Sequence, residues 1–100
     1  MKANNDPRYE NIAACPNAGK RTPQVARYYV QEGLKAGFPD ITVAIPRSPY
    51  HGLYIEFKRH PNKMSKEQLD WQERLTRAGY HYRVCWSFEE AREVVENWMK

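Results

Sequence analysis

Three side chains near the middle of the sequence have the types and spacing to hold a divalent metal ion beside a phosphate group. Asp40 follows a proline, and Glu56 and Lys58 lie further along, separated by a single residue. Residues two apart on a β-strand share one face, so Glu56 and Lys58 are expected side by side. If the strand after Asp40 and the strand of Glu56 pair as a hairpin, the two carboxylates and the ammonium group converge at one edge of a sheet.

This set of groups suits Mg²⁺, which usually takes one or two carboxylates together with waters and phosphate oxygens. Asp40 and Glu56 fit the carboxylate role, and the main-chain carbonyl of Phe57 offers a third oxygen. A bound metal lowers the pKa of its water, and Lys58 is suited to orient that water or to stabilise developing charge. The alternative is a solvated strand face, because an isolated Glu-x-Lys pair contributes little and Pro-Asp is a common turn dipeptide. The order of the two motifs favours the metal site.

The elements that must position these residues follow from periodicity and capping signals. Their predicted order is (β)αββαβα, an α/β fold with a small mixed sheet flanked by helices. Ser65 and Gln68 have capping-box spacing, as do Ser87 and Glu90. The predicted strands are residues 11–15, 41–45, 53–58 and 80–86, and the predicted helices are residues 22–32, 65–78 and 88–98. The aromatic residues expected in the core or in an interface are Trp71, Phe88 and Trp98.

Length and composition favour one globular domain. The chain has 100 residues with an apolar share of 41%, which argues against a disordered or fibrous chain. We expect a flexible segment at residues 1–10 and a single domain at residues 11–100. Cys15 and Cys85 form no disulfide framework and lack zinc-ligand spacing. No apolar run has membrane-spanning length and the N-terminus is polar, so the expected location is the reducing cytoplasm.

Five short segments occur in a fixed order along the chain. They are Cys-Pro-Asn-Ala-Gly-Lys-Arg at 15–21, Gly-Leu-Lys-Ala-Gly-Phe-Pro-Asp at 33–40, Gly-Leu-Tyr-Ile-Glu-Phe-Lys at 52–58, Ser-Lys-Glu-Gln at 65–68 and Ala-Gly-Tyr at 78–80. Pro-Asp followed by acid-x-Lys resembles the PD-(D/E)xK nucleases. The whole ordered set resembles one family among them, the VRR-NUC (virus-type replication-repair nuclease) domain.

The resemblance implies a restriction-endonuclease-like core and a Mg²⁺-dependent endodeoxyribonuclease, with Mn²⁺ able to substitute. It also implies selectivity for branched DNA such as Holliday junctions, and a phage source with the host cytoplasm as location. Asp40 and Glu56 correspond to the metal ligands and Lys58 to the catalytic lysine of the family. Gln68 matches the helix glutamine, which holds a phosphate, a water or a metal-bound carboxylate. The alternative is that Gln68 only completes the capping box of Ser65.

Basic residues provide candidate contacts to DNA phosphates. The formal net charge is +4, and residues 58–66 contain four cations and no acid. A Gly-containing loop beside a nuclease site suits phosphate contacts, although simple solvation is the alternative for its cations. The candidate DNA-binding residues are Lys20, Arg21, Arg59, Lys63 and Lys66.

One departure from the family concerns a further acid, which members usually carry on a helix before the loop at 15–21. Glu10 is the nearest candidate for this additional metal ligand. Alternatively, the chain lacks the ligand, is a shortened version of a longer protein, or receives the acid from another chain. Two other functions therefore stay open. One is a nucleic-acid-binding module that retains the nuclease fold without cleaving, and the other is a small interaction protein.

A homodimer is expected from the symmetry of the proposed substrate and from apolar residues left over after the core is assigned. Stand-alone viral members of the resembled family are dimers that resolve Holliday junctions, and two twofold-related sites can cut a four-way junction symmetrically. The surplus residues are Tyr28, Tyr29, Val94 and Met99.

Overall fold

The computed structural model describes residues 7–15 and 36–100. Within these residues, four strands form one mixed sheet in the order β1-β2-β3-β4. The strands are β1 (Ile12–Ala14), β2 (Ile41–Val43), β3 (Leu53–Phe57) and β4 (His81–Cys85). Helix α1 (Lys66–Arg77) connects β3 to β4, and helix α2 (Phe88–Trp98) follows β4. This architecture confirms the predicted small mixed sheet with helices, while the predicted helix at 22–32 lies outside the described residues.

The strand directions explain how Asp40 and Glu56 come together. β1 pairs with β2 and β2 with β3 in antiparallel fashion, and β3 pairs with β4 in parallel. Ile41 stands opposite Ile55, so the residue before β2 lies next to the end of β3. The parallel pair needs a crossover connection, which α1 provides.

One face of the sheet carries the hydrophobic core and is covered by α2. Its buried cluster consists of Tyr9, Val43, Leu53, Ile55, Cys85, Ala91, Val95 and Trp98. The indole Nε1 of Trp98 donates a hydrogen bond of 2.7 Å to the carbonyl of Ile45, which ties α2 to the end of β2. Val94 and Met99, expected as surplus apolar surface, are half-buried against this cluster.

Phe88 was expected in the core or in an interface, and it is not part of the core. Its side chain is 49% exposed. Phe88 is the first residue of α2 and stands three positions after the last residue of β4. Trp98, one of the other two aromatic residues, is buried as expected.

The N-terminal part of the described chain contributes to the core. Pro7–Tyr9 forms one turn of 3-10 helix. The side chain of Tyr9 belongs to the buried cluster. This partly apolar ring therefore adds to the core on that face of the sheet.

The opposite face of the sheet is covered by α1, and its first turn meets the segment before Asp40. Gly37 has a φ of 82°, and a Cβ atom there would lie 2.6 Å from the main-chain carbon of Glu67. Only glycine permits this backbone conformation and this close approach together. The segment that leads to Asp40 is therefore packed directly on the start of α1.

Among the described residues, no helix combines the length and the apolar character needed to cross a lipid bilayer. The described cysteines, Cys15 and Cys85, are both free. Cys85 is fully buried, and the Sγ of Cys15 lies 3.0 Å from the Oγ1 of Thr42 on the neighbouring strand.

Candidate functional site

Asp40 joins the two antiparallel strands through both its main chain and its side chain. Its N–H donates a hydrogen bond of 3.0 Å to the carbonyl of Ile55. Its carboxylate Oδ2 accepts a hydrogen bond of 2.9 Å from the N–H of Phe57. The side chain thus satisfies a main-chain donor at the end of β3, which holds the Asp40 carboxylate beside the peptide that follows Glu56.

Glu56 is a carboxylate without any solvent-exposed surface. It alternates with the core residues of β3 and therefore lies on the face covered by α1. Its Oε2 accepts a hydrogen bond of 3.1 Å from the Nε2 of Gln68. Burying a charged carboxylate is costly unless hydrogen bonds compensate, so this contact is part of what allows Glu56 to occupy the interior.

Gln68 contacts both the Ser65 cap and the Glu56 carboxylate. Its Oε1 accepts a hydrogen bond of 2.9 Å from the N–H of Ser65, and its own N–H donates to the Ser65 hydroxyl, which completes the capping box. At the same time its amide nitrogen holds Glu56. The two partners also fix the orientation of the amide, because only its oxygen can accept from an N–H and only its nitrogen can donate to a carboxylate.

Lys58 continues the line of β3 beyond its last assigned residue. Its N–H donates a hydrogen bond of 2.9 Å to the carbonyl of Cys85 on β4. The two-residue spacing places its side chain on the same face as Glu56. Within residues 7–15 and 36–100 the ammonium group has no ion-pair partner.

Tyr82 is a member of the site that the sequence did not identify. Its side chain is 7% exposed, and its hydroxyl has no hydrogen-bond partner in the part of the chain that the structure describes. Burial raises the pKa of this phenol far above its ordinary value, and the negative charges of Glu56 and Asp40 raise the pKa further. The phenol therefore keeps its proton and is a hydrogen-bond donor within electrostatic reach of both carboxylates.

A signal for Tyr82 was present in the sequence, but it needed the strand register to become visible. Tyr82 stands opposite Tyr54, and Val84 stands opposite Glu56. Residues at even positions of β3 and β4 therefore share the face of the carboxylates. The sequence alone does not show that these strands are parallel neighbours. The hydroxyl of a tyrosine on β4 therefore could not be assigned to this site.

The donor set fits a hard divalent cation such as Mg²⁺. Asp40 and Glu56 supply carboxylate oxygens, and the carbonyl of Phe57 lies on the same side of β3 as its N–H, which bonds Asp40. Mg²⁺ keeps several waters, and the buried Tyr82 hydroxyl is an unused donor for such a water. No group of three or more His, Cys, Asp or Glu side chains suited to a metal occurs among the described residues.

Glu10, predicted as an additional metal ligand, stands beside the end of β1 opposite to the end that bonds Asp40. It is exposed. The carbonyl of the next residue, Asn11, accepts from Ala44, whereas Asp40 bonds Cys15 at the other end of β1. These two ends are separated by four residues, about 13 Å at strand spacing.

Three of the candidate DNA-binding residues lie in the part of the chain that the structure describes, and all three are exposed. Arg59 and Lys63 are exposed in the segment that follows β3. Lys66 is exposed too, but its Nζ lies 3.1 Å from the carboxylate of Asp70 one helical turn away. Lys20 and Arg21 lie outside the described residues.

Comparison with known proteins gives two consistent findings. The family model of the VRR-NUC domain matches residues 2–89 of this sequence. A solved structure of a VRR-NUC domain protein is similar to this fold, with a TM-score of 0.76 and 27% sequence identity. The similarity covers 99% of this chain and 75% of that chain. A search among curated proteins gives no match.

The double role of Gln68 leads to a prediction for Gln68→Glu. This variant keeps an oxygen acceptor for the Ser65 N–H but places a second carboxylate against buried Glu56. We expect the free energy of unfolding to fall by about 3 kcal/mol near neutral pH, because two buried anions repel each other. The repulsion raises the folded-state pKa of the pair above the unfolded value of about 4.3. The full loss of unfolding free energy is therefore expected above the raised pKa. The loss should shrink as the pH falls toward the pKa of the unfolded state.

Urea unfolding at about pH 8 and about pH 5 measures this dependence. Gln72→Glu, the same change one turn further along α1, serves as the control and should stay close to the parent protein. A loss for Gln68→Glu that is independent of pH, or equal to that of the control, contradicts the role assigned to Gln68.

Proposed function

This chain belongs to the VRR-NUC domain family, and we propose that it is a Mg²⁺-dependent endodeoxyribonuclease. One observation supports this proposal above the others. The Asp40 carboxylate is bonded to the peptide that directly follows the buried carboxylate Glu56, and the ammonium group of Lys58 comes next on the same face. Two carboxylates and a cation beside the C-terminal end of β3 are the groups that metal-assisted cleavage of a phosphodiester bond requires.

The roles of the individual residues follow from their positions. Asp40, Glu56 and the Phe57 carbonyl would hold Mg²⁺, or Mn²⁺ in its place. A metal ion bound there lowers the pKa of a coordinated water and offsets the negative charge of the scissile phosphate. Lys58 is placed to stabilise the charge that develops on the phosphate oxygens or to orient the attacking water. Gln68 keeps Glu56 in one rotamer, so that its carboxylate does not need to reorganise during the reaction.

The reaction proposed for this site is hydrolysis. Water adds across a P–O bond of the DNA backbone, so that one product strand ends in a phosphate and the other in a hydroxyl group. The proton lost by the water leaves to solvent or to the departing oxygen. Negative charge develops on the departing oxygen and on the phosphate oxygens, and a cation such as Lys58 beside the carboxylates would stabilise it.

We further propose that the substrate is branched DNA and that the protein acts as a homodimer in the cytoplasm, of the host cell if a phage encodes it. The described residues of one chain offer one such pair of carboxylates, Asp40 and Glu56. A four-way junction contains two strands to be cut symmetrically, and a C₂ homodimer places two copies of the site on one twofold axis.

A second candidate function is a nucleic-acid-binding module that retains the fold without cleaving. It is favoured by one observation, the lack of a third carboxylate beside Asp40 and Glu56 among the described residues. Such a module would bind DNA with a steep salt dependence but would leave it intact with any divalent ion.

Cleavage assays with site variants test the catalytic proposal. Asp40→Asn keeps an oxygen acceptor for the Phe57 N–H and removes a charge, and Lys58→Ala removes the cation. Both are expected to lower the cleavage rate by about 10²- to 10³-fold, because Asp40→Asn removes a charge that would hold the metal ion and Lys58→Ala removes a charge that would stabilise the reacting phosphate. Labelled DNA is incubated with Mg²⁺, Mn²⁺ or EDTA. Arg77→Ala, an exposed cation at the far end of α1, is the matched control and should cut like the parent.

The possible outcomes separate the two functions. Asp40→Asn or Lys58→Ala cutting as fast as the parent protein would show that the site is assigned wrongly. A parent protein that binds DNA with a steep salt slope and never cuts would support the non-cleaving module instead.

The assembly proposal has its own test. Light scattering across micromolar concentrations should give the mass of a dimer, and a four-way junction should be cut faster than a linear duplex of the same sequence. The physical reason is that only paired, twofold-related sites match the symmetry of the junction. A monomer that cuts both substrates equally would overturn the junction preference and leave the nuclease activity in place.

A further inference from the structure

Two aromatic rings form an exposed stack beside the candidate site. The centroids of the His60 and Trp86 rings are 4.3 Å apart, and their planes differ by only 14°. Trp86 keeps 40% of its surface exposed even with His60 on one face, and His60 is itself exposed. A single exposed aromatic ring is ordinary, but two exposed rings stacked face to face form a flat surface on which a further planar group can stack.

The stack lies at the C-terminal ends of β3 and β4, where Lys58, the proposed catalytic lysine, also lies. β3 and β4 run parallel, with Phe57 opposite Cys85. The N–H of Lys58 donates to the carbonyl of Cys85, and Trp86 is the next residue along the chain. Lys58 and Trp86 are therefore neighbouring ends of adjacent parallel strands.

The position of Trp86 is fixed by the elements around it. Its N–H donates a hydrogen bond of 2.7 Å to the Oε1 of Glu90 in the first turn of α2, and Ser87 caps that helix. His60 belongs to a tight turn in which the N–H of Asn62 donates to the carbonyl of Arg59. Because these contacts already hold both rings of the stack, binding a ligand to them costs little conformational entropy.

The charges around the stack differ between its two sides. Residues 58–66 place four cations and no acid on the His60 side. On the Trp86 side stand Glu89 and Glu90, and the carboxylate of Glu90 is already engaged by the main chain of Trp86. A polyanion is therefore favoured along the His60 side. Any planar rings that it carries could then stack on the His60 and Trp86 rings.

We propose that the His60–Trp86 stack binds an unpaired base of the DNA substrate while the adjacent cations bind the backbone phosphates. This inference rests on the proposed function as a DNA nuclease and specifies which part of the substrate is recognised. A base stacks on an aromatic ring whatever its identity, so the contact recognises strand opening instead of sequence. A flap or an opened branch point presents unpaired bases of this kind, whereas a linear duplex does not.

The experiment compares two flapped duplexes of equal length and charge. One carries thymines in the flap at the branch, and the other carries abasic sites at the same positions. Binding is measured in EDTA by fluorescence anisotropy, so that no cleavage occurs. The parent protein should bind the thymine flap about 5- to 150-fold more tightly than the abasic flap, the range expected for stacking one base.

The variants assign that preference to the stack. Trp86→Ala should lose the preference for thymine, whereas Trp86→Phe should retain most of it because an aromatic ring remains. Lys63→Ala should weaken the binding of both flaps equally, since phosphate contacts do not depend on the bases. Tyr50→Ala, which removes a 37% exposed aromatic ring from the other end of β3, should keep the parent preference. His60→Ala provides a second test if Trp86→Ala fails to fold by circular dichroism.

Equal affinity of the parent protein for the two flaps would overturn the proposal, as would an equal loss for both flaps in Trp86→Ala. These results are independent of catalysis. A protein that prefers thymine flaps but never cuts would overturn the proposed nuclease function and leave base stacking in place. A protein that cuts DNA without this preference would overturn base stacking and leave the proposed nuclease function in place.

Discussion

The hydrogen bond between the Gln68 amide and the buried carboxylate of Glu56 is the interaction on which the arrangement of the site depends. A carboxylate with no exposed surface has lost its water, and a fixed donor replaces part of that hydration. The same amide closes the first turn of α1 through its oxygen. The start of the helix and the orientation of the carboxylate are therefore set by one side chain, and neither can move without the other.

Other contacts extend this constraint to the rest of the site. Gly37 packs so closely on the first turn of α1 that the segment before Asp40 is placed relative to Gln68. Asp40 then bonds the end of β3, next to Glu56. The other face of the sheet contributes a conventional apolar core under α2, which holds β3 rigid from behind. The polar face can thus carry two carboxylates close together because its geometry is determined by elements on both sides.

The sequence predicted the parts of this structure that depend on local pattern. Alternation of apolar and polar residues identified the strands, and the Ser65-to-Gln68 spacing identified the start of α1 together with its capping box. Asp40, Glu56 and Lys58 were found from motif spacing, and the structure brings Asp40 to the peptide after Glu56. Their metal-binding and catalytic roles stay predictions.

Features that depend on tertiary contacts could not be predicted. The capping pattern does not show that the Gln68 amide has a second partner twelve residues earlier. Tyr82 joins the site only through the parallel register of β3 and β4, and the separation of Glu10 from Asp40 depends on the direction of β1. Phe88 follows the helical period of its neighbours, yet its side chain is 49% exposed. In each case the local pattern is correct and the surroundings decide the outcome.

The central claim is that Asp40 and Glu56 together bind a divalent metal ion, and diffraction from crystals grown with Mn²⁺ tests it most directly. Anomalous scattering locates Mn²⁺ independently of the protein density. The account predicts one ion in contact with carboxylate oxygens of Asp40 and Glu56 and with the Phe57 carbonyl, at roughly the 2.0–2.1 Å typical of small divalent cations bound by oxygen. An ion bound elsewhere, or a Glu56 carboxylate that contacts Gln68 but no ion at saturating Mn²⁺, would contradict it.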